Sequence, residues 1–480
     1  MTTTVIRNIT WLVAYDQARG THMYVTDGDI AFADGAITHV GGRYAGAAVR
    51  EVDGRGFLVM PGLVNIHSHP ASEPMNKGWN DEIGSPKLYN SSLYEIMPIF
   101  RPDPDGVPAA ATVAYAELLQ SGVTTLVDLS VAWDGWLDLA AQSGLRVVLA
   151  PMYRSARWYT ANGHVVAYEW DEAAGLRAME AAHALVDRAV AHPTGRLSGM
   201  IAPSQIDTCS PELIRQSLAA AKARGLKLQI HAAQSVVEVH EITRRHGLLP
   251  IAWLDSLGAL TPDTIIGHGI FLDHHGSVHW PKSDEIGRLI ATGTSVAHCP
   301  TVFLRRGIAL TTFGRYVRRG VNVGIGTDTF PHNMIEEIRN ALYTSRIVAE
   351  DPFDVTTAEG LHAATLGGAK ALGRSDIGRL SVGAKADFVM VDTRQQNMRP
   401  VRDPLRSLIY AADRAVRHVY VGGEQVVVDG RVTTLDQAAA AERVEAAQRR
   451  AEPKVAGLDW AHRSHFELSP LALEVKGRNV

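Results

Sequence analysis

The sequence predicts an α/β protein, a (β/α)8 barrel with a small β domain assembled from both ends of the chain. Three observations predict it. Eight short apolar runs alternate with helix-period stretches through the middle of the chain. Those runs are nearly continuous in apolar residues, as strands buried on both faces are. The two flanks are rich in β-like runs and turns and lack that alternation. A doubly wound open sheet would share the alternation, but eight units favour closure into a barrel.

The runs cover 58–67, 122–129, 145–152, 197–202, 226–231, 264–268, 294–298 and 321–328, here strands one to eight. Helical periodicity falls between most of them, at 109–120, 172–191, 211–223 and 284–291. Glycine stops at Gly122, Gly225 and Gly320 end helices just before the next strand. On the flanks, 6–13, 29–32 and 37–40 read as strands, as do 387–392, 416–421 and 424–431. The expected organisation is a β part at 1–60, the barrel at 61–375, a second β part at 376–435, and a helix with a tail at 436–480. That helix, 435–450, is rich in Ala, Glu and Arg, and it reads as packing on a neighbour. About 38 residues separate His69 from the helix near Pro108. A loop that long inside a compact domain is a functional lid or is disordered. Trp79, Tyr89 and Tyr94 argue for an ordered cover.

Composition excludes several classes. A chain of 480 residues with net charge -4 has no global attraction to nucleic acid or anionic membrane. Its short basic pieces, Arg305-Arg306 and those from Arg315 to Arg319, read as solvated helix faces. Two cysteines, Cys209 and Cys299, make a disulfide framework improbable. No run reaches the roughly 20 apolar residues that span a bilayer, and the N-terminus lacks a signal-peptide pattern. The expectation is a cytoplasmic protein acting on a small molecule.

Chemistry concentrates at the C-terminal ends of the strands, which in a parallel barrel face one mouth. His67 and His69 are one residue apart in an extended strand, so both imidazoles project from the same face. His231 ends strand five, His268 strand six, His298 strand seven and Asp328 strand eight. Such a set points to a metal hydrolase. His67, His69 and His231 supply imidazoles and Asp328 an anionic oxygen, leaving a position for water. A divalent ion there, foremost Zn2+ with Fe2+, Co2+ or Mn2+ as alternatives, would lower the pKa of that water. Asp328 would both ligate and take the water's proton, while His268 would polarise the substrate or its oxyanion. For His298 and His332, a place beside the substrate and a structural role fit equally well. Trp79 in the cover, Trp133 after strand two, and Tyr153 and Arg157 after strand three are candidate pocket residues; packing on neighbouring loops accounts for any one of them as well.

With Pro61-Gly-Leu-Val-Asn-Ile-His-Ser-His69, Ala297-His-Cys-Pro300, Gly324-Ile-Gly-Thr-Asp328 and Gly378-Arg-Leu-Ser-Val-Gly-Ala-Lys-Ala-Asp387, the chain resembles the amidohydrolase superfamily along nearly its whole length. The resemblance implies that the terminal β segments form a small β-sandwich, and it suggests a homo-oligomer. It is nearest the group of cytosine, adenosylhomocysteine and guanine deaminases and triazine hydrolases. Binuclear members carry a bridging lysine on strand four. None lies in 197–206, which implies one metal ion.

Two departures bear on the reaction. Deaminases of the group have Glu three residues after the strand-five His, whereas this chain has Gln234. An amide can bind substrate but cannot exchange protons at useful pH. Strand four has Pro203-Ser204-Gln205 where relatives often show Pro-His. Both features resemble the branch that hydrolyses phenylureas and thiocarbamates such as molinate. The main expectation is therefore hydrolysis of a non-peptide C–N bond in a urea, carbamate or amide. The alternative is an aminohydrolase of a purine, pyrimidine or triazine-like ring. A third reading, a catalytically dead barrel used for binding, predicts no stoichiometric metal.

Overall fold

In the computed structural model, which describes residues 3–91 and 93–476, the fold is α/β with a separate β layer drawn from both chain ends. Strands Thr4–Asp16, Thr21–Ala33, Ala36–Val40, Arg50–Asp53 and Phe57–Pro61 join Phe388–Asp392, Val416–Val421, Glu424–Val428 and Arg431–Val432 in one nine-stranded sheet. The two ends meet antiparallel, with Phe388 opposite Pro61 and Asp392 opposite Phe57. Ile6, Leu12, Ile30, Phe32, Phe388 and Tyr420 form the core of this layer, where the Phe388 and Tyr420 rings stack at 4.5 Å.

The predicted run 58–67 is divided in the structure. Phe57–Pro61 belongs to the terminal sheet, and Leu63–Ser68 begins the parallel strands. Gly62 makes the change of sheet possible, because a Cβ there would sit 2.1 Å from Thr124 Oγ1. Apolar continuity hides such a boundary, since both halves are fully buried.

Eight of the remaining strands form two parallel four-stranded sheets, and two short pairs, Met152–Tyr153 with Ala202–Pro203 and Ala156–Tyr159 with Ala167–Trp170, stand apart from them. One sheet orders Leu63–Ser68, Val123–Asp128, Arg146–Leu149 and Leu197–Gly199 side by side. The other orders Leu228–Ala232, Thr264–His268, Ser295–His298 and Val323–Ile325. Parallel bridges link their edges at Ser68–Asp328 on one side, and at Ile201–Leu228 and Gln205–His231 on the other. The predicted helices appear as Gly106–Gln120, Glu172–Val190, Pro211–Arg224 and Glu285–Thr292. Pro211–Arg224 has clear local causes: Ser210 accepts from the Leu213 amide, Pro211 opens the first turn, and Gly225 closes it at φ 62°. Among the described residues no helix is long and apolar enough to cross a membrane.

The insertion after His69 is an ordered cover with short 3-10 turns at Glu73–Asn76 and Pro86–Leu88. The C-terminal helix, Gln437–Ala451, and the chain after it strap this cover down. Gln448 Nε2 donates to the carbonyls of Met75 and Lys77 at 2.6 and 3.1 Å, and Ser469 Oγ donates to that of Trp79 at 2.7 Å. Trp460 Nε1 and Arg463 both donate to Glu95 Oε1. Val444, Ala447 and Leu468 are buried with Met75, Trp79, Ile96 and Phe100. The tail contains two one-turn helices, Val455–Leu458 and His465–Leu468, the second started by a Ser464–Glu467 capping box. Residues 477–480 of that tail lie outside the described residues.

Candidate active site

His67, His69, His231, His268 and Asp328 come together at the ends of their strands. One atom each from His67, His69 and Asp328 lies within 4.8 Å of the others, and the same holds for His67, His231 and His268. Asp328 Oδ1 is 3.4 Å from His67 Nε2 and 3.1 Å from His69 Nε2. His69 and His231 bring their Nε2 atoms within 3.2 Å. The backbone locks this corner, since the Asp328 amide donates to the His67 carbonyl and the His69 amide to the Asp328 carbonyl, both at 2.9 Å. Asp328 and His268 hold left-handed backbone at φ 56° and 80°, a strain for residues with a Cβ.

The outer ring nitrogens explain why the inner ones are free. His69 Nδ1 donates to the Leu129 carbonyl at 2.6 Å and His231 Nδ1 to the Ser204 carbonyl at 2.7 Å. His67 Nδ1 donates to Gln229 Oε1, and the Gln229 amide is itself anchored on the Ile66 carbonyl at 3.0 Å. With a hydrogen on each Nδ1, the three Nε2 lone pairs converge beside a carboxylate. His67 Nε2 is buried without a hydrogen-bond partner. Outer partners that fix the tautomer and aim the lone pairs are what a metal centre needs. Three imidazoles and one carboxylate also match the donor preference of a divalent ion such as zinc. The donor set therefore fits a metal ion.

Charge tells the same story. Burial alone would lower the His69 pKa, but the Asp328 carboxylate raises it to about 9. Burial likewise works against the Asp328 charge, and the surrounding imidazoles nevertheless hold its pKa well below the usual carboxylate range. Burial and the neighbouring rings push His231 well down, and burial takes His268 to about 3. The corner is thus built to hold a cation against a buried anion.

A cavity of ≈ 110 Å³ opens on this corner. His69, His231, His268, Asp328 and Gln234 line it, with Glu73, Leu93 and Met97 from the cover and Phe303 and Arg306 after the seventh parallel strand. Gln205 and Met152 line it as well.

The other residues expected at the pocket are elsewhere. Trp79 is buried in the cover, stacked on Phe100 at 3.9 Å. Trp133 stacks on Trp136 at 6.4 Å. Tyr153 hydrogen-bonds Ser217 Oγ at 2.6 Å inside the core, and Arg157 points outward to Glu169. His298 is buried against Phe313. Glu73 lines the cavity with no periodicity or motif to mark it, and Arg306, expected on a solvated helix face, lies instead in a turn after helix Pro300–Leu304 and lines the cavity. They reach the site because the cover and a loop fold back over it.

His332 is fully buried 3.7 Å from Glu117, which also pairs with Lys77 of the cover. Burial pushes the Glu117 carboxyl up, but His332 and Lys77 outweigh it and hold the pKa at about 2. Because the folded value lies below the unfolded one, this stabilisation is present above pH 4.5 and is lost as pH falls toward 2. Glu117→Gln is expected to cost about 2 kcal/mol at pH 7 and to flatten the acid limb of stability, read by urea unfolding across pH. An acid limb identical to the parent's would refute this role.

Fold and site together define a metal-site α/β hydrolase. The amidohydrolase family model matches residues 58–426, so the chain belongs to the amidohydrolase family. It is a metal-dependent hydrolase acting on carbon–nitrogen bonds other than peptide bonds. It is 31% identical over 417 residues to a 5-methylthioadenosine/S-adenosylhomocysteine deaminase of Natronomonas pharaonis, a match covering 86% of this chain and 90% of that protein. A 5'-deoxyadenosine deaminase of Methanothermobacter thermautotrophicus is 28% identical over 426 residues, covering 88% and 94%. Among solved structures, an adenosine deaminase from Xanthomonas campestris with bound zinc superposes with TM-score 0.79 at 26% identity, covering 94% and 99%. A triazine hydrolase from Arthrobacter aurescens has TM-score 0.77 at 22% identity, covering 93% and 100%, and shares the fold.

Proposed function

We propose that the protein is a mononuclear metal-dependent aminohydrolase that releases ammonia from a ring carbon of a small heterocycle or nucleoside-like substrate. The observation that carries a hydrolytic centre is the convergence of the His67 and His69 Nε2 atoms on Asp328, with the His231 Nε2 3.2 Å from that of His69 and every Nδ1 occupied. The names of relatives aligned over nine-tenths of their length favour ammonia release. This reverses the order of the two readings drawn from the sequence, where urea or carbamate hydrolysis came first. One observation keeps that second reading alive: Gln234 occupies the cavity where the group's deaminases have an acid/base.

The same four residues would hold the metal ion, which when bound lowers the pKa of a water and polarises the electrophilic carbon. The absence of lysine from 197–206 supports one ion rather than two. Asp328, kept ionised, takes the proton of the attacking water and hands it to the leaving nitrogen. His268, kept neutral by burial and lining the cavity, hydrogen-bonds the attacking water oxygen and orients it toward the ring carbon. The cavity is small beside the roughly 300–1,000 Å³ of most ligand sites. It therefore suits a compact ring at the metal corner, with any larger substituent directed toward the open side.

We also infer that the two parallel sheets close into one (β/α)8 barrel, an inference supported by bridges at both seams. The limits 1–60, 61–375, 376–435 and 436–480 accord with the change of sheet at Gly62 and with the terminal sheet's second half.

A substrate panel tests the function. Aminated purines, pyrimidines, triazines and nucleosides are compared with phenylureas, thiocarbamates and anilides, following ammonia on one side and organic amine on the other. Ammonia from the first group with the second inert supports the aminohydrolase. The converse hands the function to urea and carbamate hydrolysis.

A further inference from the structure

The parallel strands also have starts, at the end opposite the metal corner, and side-chain alternation says what they present there. Val127, Met200 and Ile265 pack into one apolar cluster drawn from both parallel sheets. Two residues earlier in each segment, Thr125, Ser198 and Asp263 face the same way, nearer the strand starts. The same step leads from Val148 to Arg146 and from Gln229 to Lys227. A cavity of ≈ 360 Å³ opens at these starts, and these five residues line it together with Arg196. Arg374, from the chain after helix Gly368–Ala371, reaches it as well. The cavity is larger than the one at the metal corner and shares no lining residue with it.

Two polar atoms of this wall are buried without a hydrogen-bond partner among the described residues, the Thr125 hydroxyl and Arg196 Nε. Buried donors are nearly always paired in folded proteins, so two of them in one cavity point to a ligand that accepts hydrogen bonds. Lys227 Nζ spends two of its three hydrogens, on the Pro262 carbonyl at 3.2 Å and on Asp263 Oδ1 at 2.6 Å. The cations also lie deeper than the carboxylates that pair with them. The Arg196 and Lys227 side chains are each 19% exposed, whereas Glu424 and Asp263 opposite them are 68% and 69% exposed. Water screens those carboxylates more than the cations, which leaves the cavity side positive. Arg146 alone is neutralised inside the fold, by both oxygens of the buried Asp387 at 2.6 and 3.0 Å.

We propose that this mouth binds a phosphate group, free or carried by a small organic molecule, through the Thr125 hydroxyl, Arg196 Nε and Lys227 Nζ. A phosphate offers acceptor oxygens on several sides, which suits donors standing at the starts of three different strands. The two coplanar oxygens of a carboxylate are met instead by one guanidinium fork, as those of Asp387 are by Arg146. The volume lies within the range of small-molecule sites, about 300–1,000 Å³, and leaves room for an organic portion beside the phosphate. Met200 stands between this cavity and the metal corner. It lines the cavity, and its Sδ accepts at 3.6 Å from Gln229, the residue that holds His67. The site thus goes beyond the hydrolase reading and stands whichever bond the metal corner cuts.

Isothermal titration calorimetry of the zinc-loaded full chain, at constant ionic strength, tests the site with inorganic phosphate, ribose 5-phosphate and glycerol 3-phosphate as probes. At least one probe should bind at one site per chain with a Kd below about 1 mM. Thr125→Val keeps the shape and removes the hydroxyl. It should weaken binding about tenfold, yet leave the melting temperature without probe unchanged or higher, because an unpaired buried group has gone. Arg196→Gln should weaken binding to a similar degree, with Lys227→Met taking its place if that variant does not fold. Arg55→Gln, which removes an exposed cation paired with Asp53, should leave the affinity unchanged. Affinity should also survive removal of the zinc, which separates this mouth from a phosphate held at the metal corner. An organic phosphate bound tenfold or more tighter than inorganic phosphate assigns the site to a phosphorylated small molecule, and equal affinities assign it to the free ion. No saturable binding of any probe, an affinity unmoved by the Thr125 and Arg196 variants, or binding lost with the zinc overturns the proposal.

Discussion

Asp328→Asn is expected to lower kcat/KM by about a thousandfold, in the range general acid–base groups contribute, with the fold retained. The side chain keeps its shape, but the amide cannot take a proton from water or carry the charge that faces His67 and His69. The same substitution should weaken metal binding, because the anionic member of the donor set is gone. In the metal-free protein the His69 pKa should fall from about 9, since the Asp328 charge is what raises it against burial. Steady-state kinetics, elemental analysis and titration of the His69 ring by NMR read these effects together. Activity within tenfold of wild type in the metal-loaded variant would remove Asp328 from the proton path.

Removing the metal with a chelator such as dipicolinate is the second large effect. Activity should fall at least a hundredfold and return on adding zinc, with cobalt and manganese also restoring it, because imidazole and carboxylate donors accept all three. Restoration should saturate at one ion per chain. Saturation at two would reject the single-ion centre, and undiminished activity after complete removal would reject a metal role altogether. Thermal stability should drop as well, since a ligand bound only by the folded state stabilises it by mass action.

The division between what was legible beforehand and what was not follows from how local each cause is. His67 and His69 announce themselves because alternation along a strand puts both rings on one face, a rule that needs no knowledge of the rest of the chain. His231, His268 and Asp328 become legible once strands are counted, since each ends an apolar run. The helix Pro211–Arg224 was equally plain, from its periodicity over 211–223 and its glycine stop at Gly225.

The pocket was another matter. Aromatic and arginine side chains in loops can turn toward the cavity or away from it, and their spacing does not say which. Trp79 turned to Phe100, Tyr153 to Ser217 and Arg157 to Glu169. Glu73, unmarked in the chain, and Arg306, whose charge read as a solvated face, reached the cavity instead. The split at Gly62 was invisible for a related reason: two consecutive buried strands of different sheets read as one apolar run.

Local periodicity and chemistry thus sufficed for the α/β alternation, the paired flanks and the metal-ligand candidates, because those features repeat on the scale of a strand or helix turn. Tertiary packing alone decided the cavity walls and the strapping of the cover by the C-terminal helix. Each of these depends on contacts between segments far apart in the chain, with Gln448 reaching Met75 and Ser469 reaching Trp79.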